Sequence, residues 1–308
     1  SDDLVHWEYL RPFYQPNPAW TDPEEDCACP DFFPLGDKHM LLCISHYAGA
    51  RCYLGRFENE RYYPERHVRM NWPGGTMFAP ESLVDSAGRR IFWGWVCGGR
   101  SAAAQEAAGW GGVMSLPRVL SLEEDGTVRI EPVEELARLR INPVSRQDIE
   151  LHAGAPVPVA PMGTAWEMAL EIVPGSAAQV GLRVCCSPDG AEQTEVVFDP
   201  LAGTLAIDFS ESSLSPEIRR PWPHPREEQP GGIWVQTAPF TLGAGETLKL
   251  RVFLDGSILE VFANGRQCVT QRLYPTREDS TGIALFARGG SARVRTLEAW
   301  EMAAANPW

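Results

Sequence analysis

Residues 248–273, LKLRVFLDGSILEVFANGRQCVTQRL, alternate apolar and polar side chains with the period of a β-strand. Because successive side chains of a strand point to opposite faces, Leu248–Leu254 is predicted to be half buried. The tetrapeptide Ala263-Asn264-Gly265-Arg266 lies between two further strand-like runs and predicts a hairpin turn. Thr164–Ile172 alternates in the same way. These patterns are typical of the strands of a β-sandwich.

Short apolar and aromatic runs, separated by turn residues, recur along the rest of the chain. The 308 residues include 28 Gly and 26 Pro, and runs such as Met40–Ser45 and Ile91–Val96 have the length of strands. The whole chain is therefore predicted to be all-β. The Pro-, Ser- and Glu-rich residues 208–231 are long for a loop, which indicates a functional or mobile segment. No tandem repeat is evident.

A predicted helix divides the chain into two parts. Pro132–Leu139 has Pro at its start, acidic residues in its first turn and Arg near its end, which suits a short helix. We expect residues 1–131 to form one domain, residues 132–144 a helical linker and residues 145–308 the β-sandwich. A second helix of one or two turns is predicted at Ser101–Ala108.

The composition excludes several functional classes. A net charge of -14 argues against a surface for nucleic acid, which needs clustered Lys and Arg. No apolar run approaches the roughly 20 residues that span a bilayer. The eight cysteines form no pair of C-x-x-C elements, so we interpret them as buried free thiols and favour a reducing compartment such as the cytoplasm. Neither a metal nor an organic cofactor is predicted.

Five segments together carry a resemblance to a known family. They are Ser1–Trp7 (SDDLVHW), Ala28–Phe33 (ACPDFF), Phe78–Ser82 (FAPES) with Gly88–Trp95, Met114–Arg118 (MSLPR) and Asp255–Phe262 (DGSILEVF). Each segment alone is a weak signal. In this order, and over nearly the whole chain, they resemble the second half of glycoside hydrolase family 32, which includes invertases, inulinases and levanases.

The resemblance implies a five-bladed β-propeller followed by a β-sandwich. A four-stranded blade takes about 40–60 residues, so residues 1–131 suffice for about two to three blades. An open propeller would expose strand edges and apolar faces between blades. We therefore expect the chain to be a C-terminal portion, completed by a missing N-terminal segment or by a second chain.

The chemistry that the resemblance implies needs two carboxyl groups on opposite sides of the scissile bond. In the family the nucleophile lies in an N-D-P-N box and a third carboxylate in an R-D-P box, and neither box occurs in these 308 residues. The acid/base is the Glu before Cys-Pro-Asp, a position that Ala28 occupies here. Three alternatives remain open. A two-residue insertion, absorbed as a bulge, puts Asp26 on the same face as Ala28; a kinked backbone brings in Glu25; or this segment holds no acid.

Four further positions are candidates for contact with substrate. Asp31 matches the Asp of the family box and either holds loops or touches sugar. Trp95 matches a Trp near the sugar, and Trp72 lies on a predicted rim loop, so either ring is a candidate for stacking, although core packing is the alternative for both. Phe78 lies in the segment that corresponds to the family's D-F-Y-A-P-Q. Two of its positions differ here, with Thr76 for Asp and Glu81 for Gln.

The remaining motif residues are interpreted as structural. His46 follows a predicted strand and is interpreted as a satisfied histidine, with pocket lining as the alternative. Asp255, Ser257 and Glu260 of the sandwich segment are expected to fix a turn and the strand register.

The leading hypothesis is a β-fructofuranosidase-like hydrolase that cleaves terminal β-fructofuranosides with retention of configuration. The expected ligand is a fructoside or related sugar, and the chain by itself is predicted to be inactive. The alternative is a non-catalytic module that binds carbohydrate or a partner protein and is derived from the same scaffold.

Overall fold

The computed structural model describes residues 1–159, 162–218 and 232–306, and it confirms the all-β prediction. Most of the Pro-rich stretch predicted as a functional or mobile loop, residues 219–231, lies outside the described residues. The described helices are short, and none combines the length and the apolar composition needed to cross a membrane.

The first sheet is a four-stranded antiparallel meander in the order β1-β2-β3-β4. Its strands are β1 (Ala28–Leu35), β2 (Lys38–Ser45), β3 (Gly49–Glu58) and β4 (Arg61–Arg69). β2 is apolar on both sides because each face of this sheet is covered. One face packs in a cluster with the next sheet, and the other packs against Tyr14 and Trp20 of the preceding segment.

The second sheet has the order β5-β6-β8-β9, with a short strand β7 also paired to β6. Its strands are β5 (Met77–Val84), β6 (Arg90–Val96), β7 (Val113–Met114), β8 (Arg118–Leu122) and β9 (Val128–Pro132). The predicted helix is confirmed as α1 (Ala102–Ala108) in the connection from β6 to β7. Ser101 caps it by accepting a hydrogen bond from the Ala104 N–H.

Two six-stranded sheets form the C-terminal part of the chain and enclose one apolar cluster. The first has the order β10-β21-β12-β17-β18-β19 and the second β11-β20-β13-β14-β15-β16. The strands are β10 (Arg140–His152), β11 (Val157–Val159), β12 (Ala165–Val173), β13 (Gln179–Cys186), β14 (Thr194–Asp199), β15 (Thr204–Asp208), β16 (Val235–Pro239), β17 (Leu248–Asp255), β18 (Ile258–Ala263), β19 (Gln267–Arg272), β20 (Gly282–Arg288) and β21 (Ser291–Met302). The hairpin between β18 and β19 turns at Asn264 and Gly265, both with positive φ, as the sequence predicts.

The boundary between the two parts is tighter than the sequence suggests. The predicted helix is present as a 3-10 helix at Glu134–Leu139. β10 begins directly after it at Arg140, so the last residues of the expected linker 132–144 already pair with β21. Only the 3-10 helix therefore separates the second sheet from the sandwich.

The second sheet and the sandwich share a core. Phe92 and Ile130 of the second sheet belong to the same buried cluster as Phe253, Phe262 and Cys268 of the sandwich. Apolar contact on this scale excludes water from the boundary and fixes the sheet against the sandwich.

The first residues of the chain leave apolar side chains in solvent. Leu4, Val5, Trp7 and Tyr9 are between 73% and 81% exposed. A cluster of large exposed apolar side chains is characteristic of a surface that another segment or chain covers.

Candidate functional site

The first strand of the first sheet contains a bulge at the segment that carries the family resemblance. The pairing of β1 with β2 shifts between Ala28 and Asp31. Cys29 has a φ of 49°, an uncommon conformation for a residue with a side chain, and Pro30 follows it. Bulges of this kind re-aim side chains and occur frequently next to active sites.

The first strand of the second sheet contains a bulge of the same kind. The pairing of β5 with β6 shifts between Phe78 and Glu81, and Ala79 has a φ of 38° directly before Pro80. Both strands therefore carry a small residue with positive φ, then a proline, then an acid. This short repeat was not predicted from the sequence. The signal was the spacing of the Cys-Pro-Asp and Ala-Pro-Glu triplets within their strands.

Asp31 joins the two bulged strands. Its Oδ2 accepts hydrogen bonds from the Ser82 N–H at 3.0 Å and the Ser82 hydroxyl at 2.5 Å. The side chain of Glu81, the neighbour of Ser82, is exposed and makes no hydrogen bond or ion pair within the described part of the chain. Burial and the charge of Asp31 raise the pKa of the Glu81 carboxyl. A carboxyl group with a raised pKa thus faces solvent beside the junction of the two strands.

Glu25 is committed to a buried ion pair. Its side chain is 7% exposed and accepts from the Arg51 guanidinium at 2.6 Å, while the Asp22 N–H donates to it at 3.0 Å. Arg69 lies 3.4 Å away. Burial alone would raise the pKa of Glu25, but the Asp22 N–H and the two guanidinium groups outweigh it and lower the pKa. Glu25 is therefore held as a carboxylate.

Asp26 is the more accessible of the two candidate acids. It pairs with His46, whose backbone N–H lies 2.8 Å from Oδ1 and whose Nδ1 lies 2.5 Å from Oδ2. The Asp26 side chain is 42% exposed. Partial burial raises its pKa, but the backbone and ring contacts of His46 outweigh it and lower the pKa. The structure thus gives His46 a partner that the sequence did not predict.

The aromatic candidates lie in different environments. Phe78 is 4% exposed and Trp72 is 7% exposed, and Trp72 packs in the apolar cluster of the sandwich, which leaves little of its ring for stacking on a sugar. Trp95 keeps 47% of its surface in solvent. It is the strand partner of Phe78, and a side chain at Gly112 would collide with its indole Nε1. Only Trp95 of these three presents an accessible ring.

The next feature is the arrangement of possible metal ligands among the residues that the structure describes. No group of three or more His, Cys, Asp or Glu side chains there is arranged to hold an ion. All eight cysteines are free thiols.

Both parts of the chain match family models. Residues 1–132 match the model described as glycosyl hydrolases family 32 N-terminal domain, and residues 135–301 match glycosyl hydrolases family 32 C terminal. A fructan 1-exohydrolase from Triticum urartu is 29% identical over 371 residues, an alignment that covers 98% of this chain and 59% of the relative. A fructan 1-exohydrolase from Hordeum vulgare matches with the same identity and coverage.

Solved structures share the fold. Fructan 1-exohydrolase IIa from Cichorium intybus superposes with a TM-score of 0.78 at 22% identity, over 90% of this chain and 62% of that chain. A variant of that protein was solved in complex with 1-kestose. The β-fructofuranosidase BmSUC1 from Bombyx mori superposes with a TM-score of 0.72 at 20% identity, over 100% of this chain and 60% of that chain. The chain thus spans about three fifths of the length of these relatives.

Proposed function

Because the chain belongs to glycoside hydrolase family 32, we propose that it is the C-terminal portion of a β-fructofuranosidase-like hydrolase. The observation that carries the proposal is the match of both parts of the chain, in order, to the two domains of the family. Relatives along almost the whole chain are named fructan 1-exohydrolases. The proposed substrate is a terminal β-fructofuranoside or a related sugar.

The four-stranded first sheet and the five-stranded second sheet are proposed to be two blades of a five-bladed propeller, at the lower end of the expected two to three. The order of antiparallel strands in each sheet supports this assignment. The remaining blades are proposed to come from a preceding segment or from a second chain. The exposed Leu4, Val5, Trp7 and Tyr9 support a contact at that end, because closing a ring of blades buries such side chains.

The proposed reaction is a double displacement. In the first step one carboxylate attacks the anomeric carbon and forms a covalent sugar ester, while a second carboxyl group about 5–5.5 Å away protonates the leaving oxygen as the glycosidic bond breaks. In the second step water gives a proton back to that second group, attacks the anomeric carbon and releases the sugar and the carboxylate. The 308 residues contain neither an N-D-P-N nor an R-D-P sequence, so the attacking carboxylate is proposed to lie outside them. The chain alone is then expected to release no fructose.

Asp26 is proposed as the carboxyl that handles the proton, in preference to Glu25. Its side chain is accessible and lies two residues before the bulge of β1, whereas Glu25 is held by Arg51. In the complete protein a bound sugar would displace water from Asp26, and loss of water raises the pKa of a carboxyl toward the range of a general acid. Asp31 positions β1 against β5, and the exposed ring of Trp95 is proposed to stack on sugar.

The test compares two proteins in the same assay for fructose released from sucrose, 1-kestose and inulin. The 308-residue chain is expected to be inactive, and the product of the complete reading frame that contains it is expected to be active. Asp26→Asn in the complete protein should lower kcat by about 100-fold or more. Asp22→Asn, an exposed aspartate of the same loop, is the matched control and should leave kcat unchanged. Fructose release by the 308-residue chain itself would refute the external nucleophile.

The alternative is a non-catalytic module that binds carbohydrate or a partner protein. It is favoured by Ala28 at the position of the family acid and by the contacts that keep Glu25 ionised. A reading frame without the two missing boxes, whose product releases no fructose from any of the three sugars, would establish this alternative in place of the hydrolase.

A further inference from the structure

Two cysteine thiols meet beside the first strand of the first sheet. Ala28 of β1 pairs with Ile44 of β2. Because side chains alternate along a strand, Cys27 and Cys43, one position before each, point to the same face of the sheet. Cys43 is buried in the cluster on that face, and Cys27 is half-buried and packs against it. The Cys43 thiol is a hydrogen-bonding neighbour of the Cys27 thiol. A small reagent can therefore reach the pair through Cys27.

A buried guanidinium group lies beside the two thiols. The Arg51 side chain is 2% exposed and donates to the Glu25 carboxylate and to the Asp26 carbonyl oxygen. Its Nε–H is buried and has no hydrogen-bond partner among the described residues. The Cys43 thiol is next to this guanidinium group, and the Arg51 charge acts on Cys27 as well. A buried donor without an acceptor is costly, and a thiolate formed here would supply both an acceptor and a counter-charge.

These surroundings favour ionisation of Cys27. The hydrogen bond with the Cys43 thiol has the largest effect; burial opposes it, and the Tyr14 hydroxyl and the Arg51 charge add to it, so the pKa of Cys27 falls to about 7. The same contact raises the pKa of Cys43, which keeps its proton. Burial raises the pKa of five other thiols to about 11 or about 12, namely those of Cys52, Cys97, Cys185, Cys186 and Cys268. Cys27 therefore differs from these thiols in its surroundings as well as in its access to solvent.

We propose that Cys27 and Cys43 are a redox-active pair that hydrogen peroxide converts to a disulfide, with Cys27 as the attacking thiol. The Cys27 thiolate attacks one oxygen of the peroxide, the O–O bond breaks, and uptake of a proton gives a sulfenic acid and one water. The Cys43 sulfur then attacks the sulfenic sulfur, the S–S bond forms, and the hydroxide that leaves takes the Cys43 proton as a second water. The two thiols lose two electrons in all, and the peroxide gains them.

The position of Cys27 in the chain permits this bond. A disulfide needs Cα atoms about 4.4–6.8 Å apart. Cys27 precedes Ala28, the first residue of β1 that is paired with β2, so the strand ladder does not hold its backbone. Asp26 precedes Cys27, and its partner His46 lies three residues after Cys43. The pair thus places a reversible covalent link beside the Asp26–His46 contact. The inference does not depend on whether the complete protein hydrolyses fructosides.

The first test uses the unaltered 308-residue chain. After treatment with hydrogen peroxide and alkylation of the remaining thiols, peptide mapping by mass spectrometry is expected to find Cys27 linked to Cys43. Dithiothreitol should reverse the link. Before oxidation, iodoacetamide at neutral pH should alkylate Cys27 about tenfold faster than Cys186, or more, because Cys186 is also half-buried but has a raised pKa.

Three variants assign the reaction to these groups. Cys27→Ser should abolish the link, and Cys186→Ser, the matched control, should leave it unchanged. Tyr14→Phe removes the hydroxyl that contacts Cys27 and keeps the ring that packs against Tyr53. It is expected to slow the alkylation of Cys27 about threefold. If Cys27→Ser failed to fold, the unaltered chain and Tyr14→Phe would still decide the question.

Three results would overturn the proposal. The first is a folded chain that shows no link between Cys27 and Cys43 after treatment with excess peroxide. The second is alkylation of Cys27 no faster than that of Cys186. The third is a link from Cys27 to the exposed Cys29 in place of Cys43, which would mean that the buried thiol does not take part.

Discussion

Arg118 of β8 and Glu260 of β18 form an ion pair across the boundary between the second sheet and the sandwich, and each side chain is about 1% exposed. The same guanidinium donates to the Thr270 hydroxyl at 2.6 Å. The other carboxylate oxygen of Glu260 accepts from the Leu116 N–H at 2.6 Å. Glu260 therefore joins two parts of the protein, beyond the role in strand register that its motif suggested.

Removing one member of this ion pair should lower the free energy of unfolding far more than replacing both members. Glu260→Gln is expected to lower the free energy of unfolding by about 3–5 kcal/mol, because the Arg118 charge is left buried without a counter-charge. The double variant Arg118→Met with Glu260→Gln should recover much of that loss, since no buried charge remains and Gln can still accept from Leu116. Urea denaturation at neutral pH gives both values. If Glu260→Gln lowered the free energy of unfolding by less than about 1 kcal/mol, the pair would not act as a buried ion pair that joins the two parts of the protein.

The two neighbouring acids before β1 should respond differently to loss of charge. Glu25→Gln is expected to lower the free energy of unfolding by about 3 kcal/mol, because the buried Arg51 side chain, which is 2% exposed, loses its carboxylate partner. Asp26→Asn should cost less than about 1 kcal/mol, since the Asp26 and His46 side chains are 42% and 60% exposed. Thermal and urea unfolding of the two variants, side by side, make the comparison. Equal losses would show that Glu25 is more solvated than its contacts indicate.

Glu192 should give the fold a specific sensitivity to acid. It is fully buried and accepts from the Thr276 N–H at 2.8 Å, the Ser280 hydroxyl at 2.6 Å and the Leu214 N–H at 3.0 Å. Burial opposes its charge, but these hydrogen bonds outweigh burial and lower the pKa from 4.5 to about 2. Because the folded pKa is depressed, this stabilisation is complete above the unfolded pKa and is lost as the pH falls toward about 2.

The variant Glu192→Gln isolates that contribution. It should be less stable than the unaltered chain by about 2–3 kcal/mol at neutral pH, because charge-assisted hydrogen bonds are lost. The difference should shrink between pH 4.5 and about 2, where the carboxyl of the unaltered chain becomes protonated. Urea unfolding midpoints measured across this range provide the check. A difference that stayed constant with pH would mean that the charge of Glu192 does not contribute.

Substitutions at two glycines should distinguish the energetic cost of backbone strain from that of steric crowding. Gly49 and Gly126 have φ of +77° and +79°, so Ala at either position should cost about 1 kcal/mol in conformational strain. At Gly126 the added methyl group meets nothing within 4 Å. At Gly49 it would lie 2.7 Å from the Met77 carbonyl oxygen and from the Asn71 amide nitrogen. Gly49→Ala should therefore cost about 2 kcal/mol more than Gly126→Ala in urea unfolding. If the two variants lost the same free energy of unfolding, the Asn71 loop would lie farther from the β2–β3 turn than the structure shows.

The sequence alone was sufficient for the class of fold and for the local elements. Two of these signals are local, because they depend on residues only a few positions apart: the alternation in Leu248–Leu254 and the turn pair Asn264-Gly265. The strand that the first predicts and the hairpin that the second predicts are both present. The helix at Ser101–Ala108 follows from the propensity of alanine and from a serine cap. The family, too, was evident from short segments in a fixed order, which the family models confirm.

The partners of individual side chains were determined by the tertiary structure. The sequence did not predict that Asp26 meets His46, or that Glu260 crosses to Arg118, 142 residues away. The sequence predicted Trp72 on a rim loop, whereas in the structure its ring is buried in the apolar cluster of the sandwich. The physical reason is that side-chain periodicity records which face of a strand is covered. The identity of the element that covers it depends on the packing of whole sheets, and no local pattern encodes that choice.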